Sequence, residues 1–211
     1  MKNNIHKADS LKAAFIDYVL ANFDKSVIIG HEVMYGSREQ FADLVILHNG
    51  YTYAVEIKSD SDSLYRIGNQ LDAYRRLFNY VIVVCGKRYT NHLKESLPDG
   101  VGLFEIQEDN ITKRIKRPRR ETSNLDKQEM LLTIRASYLS KKADFPVSRM
   151  NACTLRAKYA KKRTSFIQEI LYKYWYAKLR TPFCSFMTNR GEQTLPADLA
   201  YFSSFIVQPN V

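Results

Sequence analysis

One segment, residues 41–84, carries the strongest secondary-structure signals of the chain: FADLVILHNGYTYAVEIKSDSDSLYRIGNQLDAYRRLFNYVIVV. It contains Asn49-Gly50, a dipeptide that strongly favours a two-residue β-hairpin turn, and therefore predicts strands at 41–48 and 51–58. The apolar run 80–85 is continuous, which predicts a buried strand that lies parallel to a neighbour. Between them, residues 64–78 have the apolar spacing of an amphipathic helix.

The flanking sequence extends this pattern in both directions. Towards the N-terminus we predict a first helix that is capped by Asp9 or Ser10, then a strand at 27–33. Beyond the stretch, we predict a short helix at 91–97 and a strand at 101–106. This order of elements predicts an α/β fold in which a mixed β-sheet is flanked by helices.

The predicted hairpin register brings charged side chains together. A two-residue turn pairs His48 with Tyr51, and the same register then pairs Asp43 with Glu56. Lys58 lies two residues beyond Glu56 and therefore shares its face of the strand. Two carboxylates directly opposite each other destabilise a sheet, so we expect a divalent cation between them. Oxygen ligands favour Mg²⁺ or Mn²⁺ over zinc.

These residues resemble the motifs of the PD-(D/E)XK nuclease superfamily, which has the restriction-endonuclease-like fold. Asp43 corresponds to its first acid, and Glu56-Ile57-Lys58 to its E-x-K element. Gln70 and Tyr74 fit its Q-x-x-x-Y helix pattern. Ala42 stands where the motif has proline, a position at which many members vary. The resemblance covers roughly residues 8–108 and leaves the rest of the chain unexplained.

The resemblance implies a Mg²⁺-dependent nuclease, with Mn²⁺ as an alternative ion. Asp43, Glu56 and the backbone carbonyl of Ile57 would hold the metal, and Lys58 would orient or activate the attacking water. Gln70 is a further candidate catalytic residue.

Other candidates come from neighbouring elements. Glu32, on the preceding strand, is an additional acid if it is more than an exposed strand-end residue. Arg66 and Tyr74 share a helical stripe with Gln70, so we predict that they contact nucleic acid unless Tyr74 belongs to the core.

Charge is distributed unevenly along the 211 residues, whose net charge is +10. Residues 1–112 hold 12 basic and 15 acidic side chains, whereas residues 113–211 hold 20 and 7. We therefore predict a nuclease-like core at 1–112, a basic linker or edge strand at 113–124 and a basic helical extension at 125–211. The extension would bind DNA, in preference to RNA, through four basic side chains. These are Lys158, Lys161, Lys162 and Arg163.

Two other functions compete with a nuclease. One is a catalytically silent protein of the same fold that binds nucleic acid, and the other is a protein-interaction module of a phage or defence system. The sequence has no signal peptide and no membrane-spanning run, so we expect a cytoplasmic protein. Homo-oligomerisation stays open. The three cysteines and four histidines lack metal-ligand spacing, which argues against a zinc site.

Overall fold

The computed structural model describes residues 7–37 and 40–203. Its centre is a six-stranded sheet in the order β1-β2-β3-β4-β5-β6. The strands are β1 (Ile28–Tyr35), β2 (Gln40–His48), β3 (Tyr51–Lys58), β4 (Tyr80–Gly86), β5 (Gly102–Ile106) and β6 (Thr112–Lys116).

The strand pairing makes the sheet mixed. β1, β2 and β3 run antiparallel, β3, β4 and β5 run parallel, and β6 returns antiparallel to β5. The Asn49-Gly50 turn pairs His48 with Tyr51, as predicted, and both turn residues have positive φ, 50° and 80°. β4 is buried along most of its length because it lies between β3 and β5 and helices pack against it. The predicted α/β fold is confirmed.

Seven α-helices and a 3₁₀ helix surround the sheet within the described residues. They are α1 (Ala8–Asn22), α2 (Ile67–Arg75), α3 (Lys87–Ser96), α4 (Lys127–Thr133), α5 (Ala136–Lys141), α6 (Ala152–Ala160), α7 (Thr164–Asn189) and η1 (Pro196–Ser203). None of them is long and apolar enough to cross a membrane.

Three predicted helix boundaries are wrong. Neither Asp9 nor Ser10 caps the first helix, because α1 already begins at Ala8, after Lys7. Residues 60–63 have side chains typical of helix caps and predict a helix that begins directly after them. Asp62 instead accepts hydrogen bonds from Ser59 in a preceding turn, and α2 begins only at Ile67. The sequence also predicts a helix at 165–180 that Pro182 ends, but α7 continues through Pro182 to Asn189. Proline costs an internal helix a hydrogen bond, but the buried Phe183 and Phe186 hold the last turns against the core.

The C-terminal helices pack on the sheet and share its apolar core. Trp175 of α7 stacks on Phe78, with ring centroids 5.0 Å apart. Gly30 of β1 lets α7 approach closely, because a Cβ at that position would lie 2.8 Å from Leu179. The predicted extension therefore has no core of its own, and the first part of the predicted linker at 113–124 is edge strand β6.

Candidate active site

Three acidic residues occupy one row across β1, β2 and β3, which we call the acid row: Glu32, Asp43 and Glu56. The β1–β2 register pairs His31 with Leu44 and Val33 with Ala42, which sets Glu32 opposite Asp43. That single pair is missing from the ladder, and Glu32 has a positive φ of 49°. The irregularity marks a local distortion of β1 at the row.

Asp43 and Glu56 come together where β2 and β3 separate. The β2–β3 ladder runs from His48–Tyr51 to Leu44–Val55, and the next step of the same register sets Asp43 opposite Glu56. The Oδ2 atom of Asp43 accepts a hydrogen bond of 2.8 Å from the backbone N–H of Ile57. The Asp43 side chain thus supplies an acceptor where the backbone pairing ends.

Glu56 is a buried carboxylate with two hydrogen-bonding partners. Lys58 Nζ lies 2.7 Å from its Oε1 atom, and the Tyr74 hydroxyl donates to its Oε2 atom over 2.6 Å. Lys58 also donates to Gln70 Oε1 at 2.9 Å. Glu56 and Lys58 are only 3% and 7% exposed, so burial strengthens their interaction. The sequence-predicted Asp43, Glu56, Lys58 and Gln70 are therefore neighbours.

The prediction that Tyr74 contacts nucleic acid requires correction. Tyr74 is fully buried, because α2 turns it onto β3, and its hydroxyl is committed to Glu56. It belongs to the core and orients a site carboxylate. Arg66, by contrast, is exposed at the start of α2. It lines a cleft of about 470 Å³ together with Gln70, Asn69 and Arg76, so this cleft reaches the residue that contacts Lys58.

Lys12 is a site residue that the sequence pattern did not reveal. It projects from α1, is 5% exposed, and its Nζ atom lies 2.5 Å from Glu32 Oε1 and 3.7 Å from Asp43 Oδ1. His31 Nε2 lies 3.2 Å from the same Nζ atom. A polar residue in the apolar face of α1, between Leu11 and Phe15, was the available signal. Lys12 acts as an internal counter-ion for two members of the acid row.

The electrostatics of Asp43 reflect the crowding of acids. Its burial, followed by the charge of Glu56, raises its pKa from 3.8 to about 6, although the Ile57 N–H and Lys12 act in the opposite direction. Burial lowers the pKa of Lys12, but the hydrogen bond to Glu32 and the charge of Asp43 more than compensate, so the net shift is upward. The protein thus leaves negative charge at Asp43 incompletely neutralised.

The donor set fits a hard divalent cation. Carboxylate oxygens keep free lone pairs after one hydrogen bond each, so Asp43 and Glu56 can still act as ligands. The Ile57 N–H points towards Asp43, and within a strand the carbonyl of a residue points to the same side as its N–H. No cluster of three or more His, Cys, Asp or Glu side chains in the described ranges 7–37 and 40–203 can enclose a metal. Two carboxylates and a carbonyl suit Mg²⁺ or Mn²⁺, which keep several water ligands.

The four predicted basic contacts lie on α6 and just after it. Lys158, Lys161 and Arg163 are exposed. Lys162 is half-buried and is partly neutralised by Asp144, whose Oδ2 lies 2.8 Å away. Three of the four therefore keep their charge available to a polyanion. Of the aromatic residues that follow in α7, Tyr174 and Trp175 are buried and belong to the core.

Relatives of the chain are found among phage proteins. The family model of Bacteriophage P4 protein cII matches residues 1–203. Protein cII of Enterobacteria phage P4 is 32% identical over 113 residues, which cover 52% of this chain but only 42% of that protein. A solved structure, the SPO1766 protein of unknown function from Silicibacter pomeroyi, aligns with 66% of this chain and 90% of its own, at 14% identity and a TM-score of 0.45.

Proposed function

This chain belongs to the bacteriophage P4 protein cII family, and we propose that it is a metal-dependent nuclease that hydrolyses phosphodiester bonds, with DNA preferred to RNA. The acid row carries this proposal. Its three acidic residues occupy neighbouring positions in the register of β1, β2 and β3, and burial together with the charge of Glu56 raises the pKa of Asp43 to about 6. A structural role explains such a cost poorly, whereas a bound cation removes it.

Each residue of the site has a separate task. Asp43, Glu56 and the Ile57 carbonyl would hold Mg²⁺ or Mn²⁺, which when bound lowers the pKa of a coordinated water and offsets phosphate charge. Lys58 would orient the attacking water and stabilise negative charge on the phosphate. Gln70 holds the Lys58 ammonium from the side of α2, and Glu56 holds it from within β3.

Substrate would approach along the cleft beside α2. This cleft contains Gln70 at the catalytic end and the guanidinium groups of Arg66 and Arg76 along its wall. Arg76 is partly committed to Asp126, 2.5 Å away, which leaves Arg66 as the freer cation for a phosphate. The exposed Lys161 and Arg163 would add a more distant attraction for the backbone.

A catalytically silent nucleic-acid-binding protein is the second candidate, and the position of Lys12 favours it. Its ammonium already neutralises part of Glu32 and Asp43 from inside the protein. If that neutralisation suffices, the site needs no metal and the acid row is a fixed ion cluster. The two functions differ in whether Mg²⁺ binds and in whether phosphodiester bonds are broken.

Cleavage of three DNA forms tests the proposal. Supercoiled plasmid, linear duplex and single-stranded DNA are incubated with Mg²⁺, with Mn²⁺ or with EDTA. We expect metal-dependent cleavage, and nicking of the closed plasmid would identify an endonuclease, because a closed circle offers no end. Asp43→Asn and Glu56→Gln should abolish cleavage, whereas Glu108→Gln, the same chemical change at an exposed acid, should not.

A second measurement separates the two candidates. Mg²⁺ or Mn²⁺ should raise the unfolding temperature of the parent protein but not of Asp43→Asn. DNA binding without either cleavage or metal stabilisation would support the silent protein and contradict the nuclease. An absence of DNA binding would contradict both and leave a protein-interaction module.

A further inference from the structure

A strongly basic segment forms the edge of the sheet that is farthest from β1. The segment 113–120, KRIKRPRR, forms most of β6 and the extended chain after it, and carries six basic side chains in eight residues. Five of the six are exposed, and none of the six forms an ion pair with any residue in 7–37 or 40–203. We call this segment the basic edge.

An aromatic cleft of about 210 Å³ adjoins the basic edge. Arg114 is paired with Phe104 in the β5–β6 ladder and lines the cleft with Arg117. The other walls contain aliphatic side chains and Pro118, and also rings from α1 and its end, β3, β4 and β5. These rings are Phe15, Tyr18, Phe23, Tyr53, Tyr80 and Phe104.

Several of these rings are incompletely covered. Tyr18, Phe23, Tyr53 and Tyr80 are half-buried, and Tyr53 and Tyr80 stack with centroids 4.5 Å apart and planes within 12°. The cleft is smaller than the roughly 300–1,000 Å³ that encloses a whole small-molecule ligand. It is therefore better suited to one planar group of a longer molecule than to a complete cofactor.

The aromatic cleft is separate from the acid row. Tyr53 lies three residues before Glu56 on β3, which places their Cα atoms about 10 Å apart along the strand. An odd separation also puts the two side chains on opposite faces of the sheet. A ligand in the cleft would thus not occupy the site formed by Glu56 and Lys58.

Charge on an edge strand also prevents pairing with another sheet, but that role requires no aromatic pocket. Because the exposed arginines and the aromatic rings lie together, we infer that the aromatic cleft and the basic edge bind single-stranded nucleic acid. Bases stack on the exposed parts of Tyr53 and Tyr80, and phosphates contact Arg114 and Arg117. Single strands expose the faces of their bases, whereas a duplex hides them, so the pairing of rings with arginines selects the unpaired form.

Binding of fluorescent oligonucleotides in EDTA tests this inference without depending on the proposed cleavage. The probes are a thymidine 15-mer, a uridine 15-mer and a DNA duplex of equal length. The charge variant Arg114→Glu/Arg117→Glu changes two exposed side chains of the basic edge. Its matched control, the α3 lysine pair, reverses two exposed lysines elsewhere as Lys87→Glu/Lys94→Glu.

We expect both single-stranded probes to bind more tightly than the duplex. The charge variant should reduce the slope of log K against log salt by about 1.4, because each single-strand phosphate contact contributes about 0.7. Tyr80→Leu should weaken single-strand binding roughly 5- to 150-fold, the range for losing one stacked base. Tyr176→Leu, at another partly exposed tyrosine, is the control for ring loss.

Circular dichroism shows whether each variant is folded. If Tyr80→Leu is unfolded, binding by the charge variant alone tests the inference. Unchanged affinity and salt slope in the charge variant would overturn the inference. Equal losses in the charge variant and the α3 lysine pair would reduce the basic edge to general surface charge. If the parent protein cleaves DNA but the cleft variants bind oligonucleotides as tightly as the parent, only the inference about the cleft is refuted. If the cleft variants lose binding but the parent cleaves no DNA, only the proposed nuclease activity is refuted.

Discussion

Replacing Asp43 with asparagine should stabilise the metal-free protein at neutral pH, although it removes the central member of the acid row. Asparagine keeps an acceptor oxygen for the Ile57 N–H but carries no charge. Burial and the charge of Glu56 disfavour the ionised carboxylate, and the asparagine side chain avoids both penalties. A site selected for metal binding is expected to carry such a cost.

The size of the effect follows from the pKa. A rise from 3.8 to about 6 is about two units. One unit corresponds to 1.36 kcal/mol, so ionised Asp43 destabilises the fold by about 3 kcal/mol at pH 7.5. The folded pKa lies above the unfolded one, so the favourable contribution of protonated Asp43 is complete below pH 3.8 and is lost as pH rises through about 6. Asp43→Asn should therefore have the same free energy of unfolding as the parent near pH 3.5 and a higher one at pH 7.5.

Thermal and urea unfolding in EDTA at several pH values provide the measurement. For a chain of this size, 3 kcal/mol corresponds to roughly 6–12 °C in the unfolding temperature. Glu108→Gln should stay within about 0.5 kcal/mol of the parent, because its carboxylate is exposed. Added Mg²⁺ should reduce the difference in unfolding temperature between Asp43→Asn and the parent, because it stabilises only the parent. If Asp43→Asn is no more stable than the parent at pH 7.5 in EDTA, the reasoning from like charges is refuted.

Three further predictions concern the buried Glu56–Lys58 pair and the basic residues that follow α6. Tyr74→Phe removes the hydrogen bond to Glu56 and should cost about 1–3 kcal/mol in urea unfolding, with slower cleavage; an unaltered cleavage rate would contradict the orienting role of this hydroxyl. Lys58→Ala leaves a buried carboxylate without its ammonium and should cost about 3–5 kcal/mol, so loss of activity needs a folding control; Lys58→Ala combined with Glu56→Gln should recover part of that stability. Lys161→Glu/Arg163→Glu should lower the slope of log K against log salt for duplex binding by about 1.8, because each duplex phosphate contact contributes about 0.9. A slope equal to that of the α3 lysine pair would show that Lys161 and Arg163 do not contact DNA phosphates.

The burial of Glu56 and Lys58 also changes how mutations at the site are interpreted. From the sequence alone, alanine at either position is expected to abolish cleavage while leaving the fold intact. The side chains are instead nearly inaccessible and paired with each other, so removing one partner strands the other charge in the core. Amide substitutions, which keep hydrogen-bonding groups, therefore separate chemistry from folding better than alanine does.

Much of the site was predictable because it depends on local sequence. The Asn49-Gly50 turn restricts the hairpin to one register, and two-residue alternation then determines which side chains share a face. Asp43, Glu56 and Lys58 follow from that register without knowledge of any distant residue. The helical spacing of Gln70 and Tyr74 likewise predicts that both lie on one stripe of α2.

The rest depends on contacts between residues far apart in the chain. Glu32 joins the acid row only because β1 pairs with β2 in one register and distorts at a positive φ. Lys12 of α1 contacts the carboxylates of Glu32 and Asp43, which are 20 and 31 positions away in sequence. Tyr74 lies in the core, where its hydroxyl donates a hydrogen bond to Glu56.

The sheet, the hairpin register and three of the charged residues could be predicted from the sequence, since they follow from turn chemistry and side-chain periodicity. Three features emerge only from the folded chain: the C-terminal helices share the core, Lys12 neutralises part of the acid row, and the basic edge adjoins an aromatic cleft. The physical reason is that packing and charge pairing depend on distance in space, and no local pattern specifies which remote side chains become neighbours.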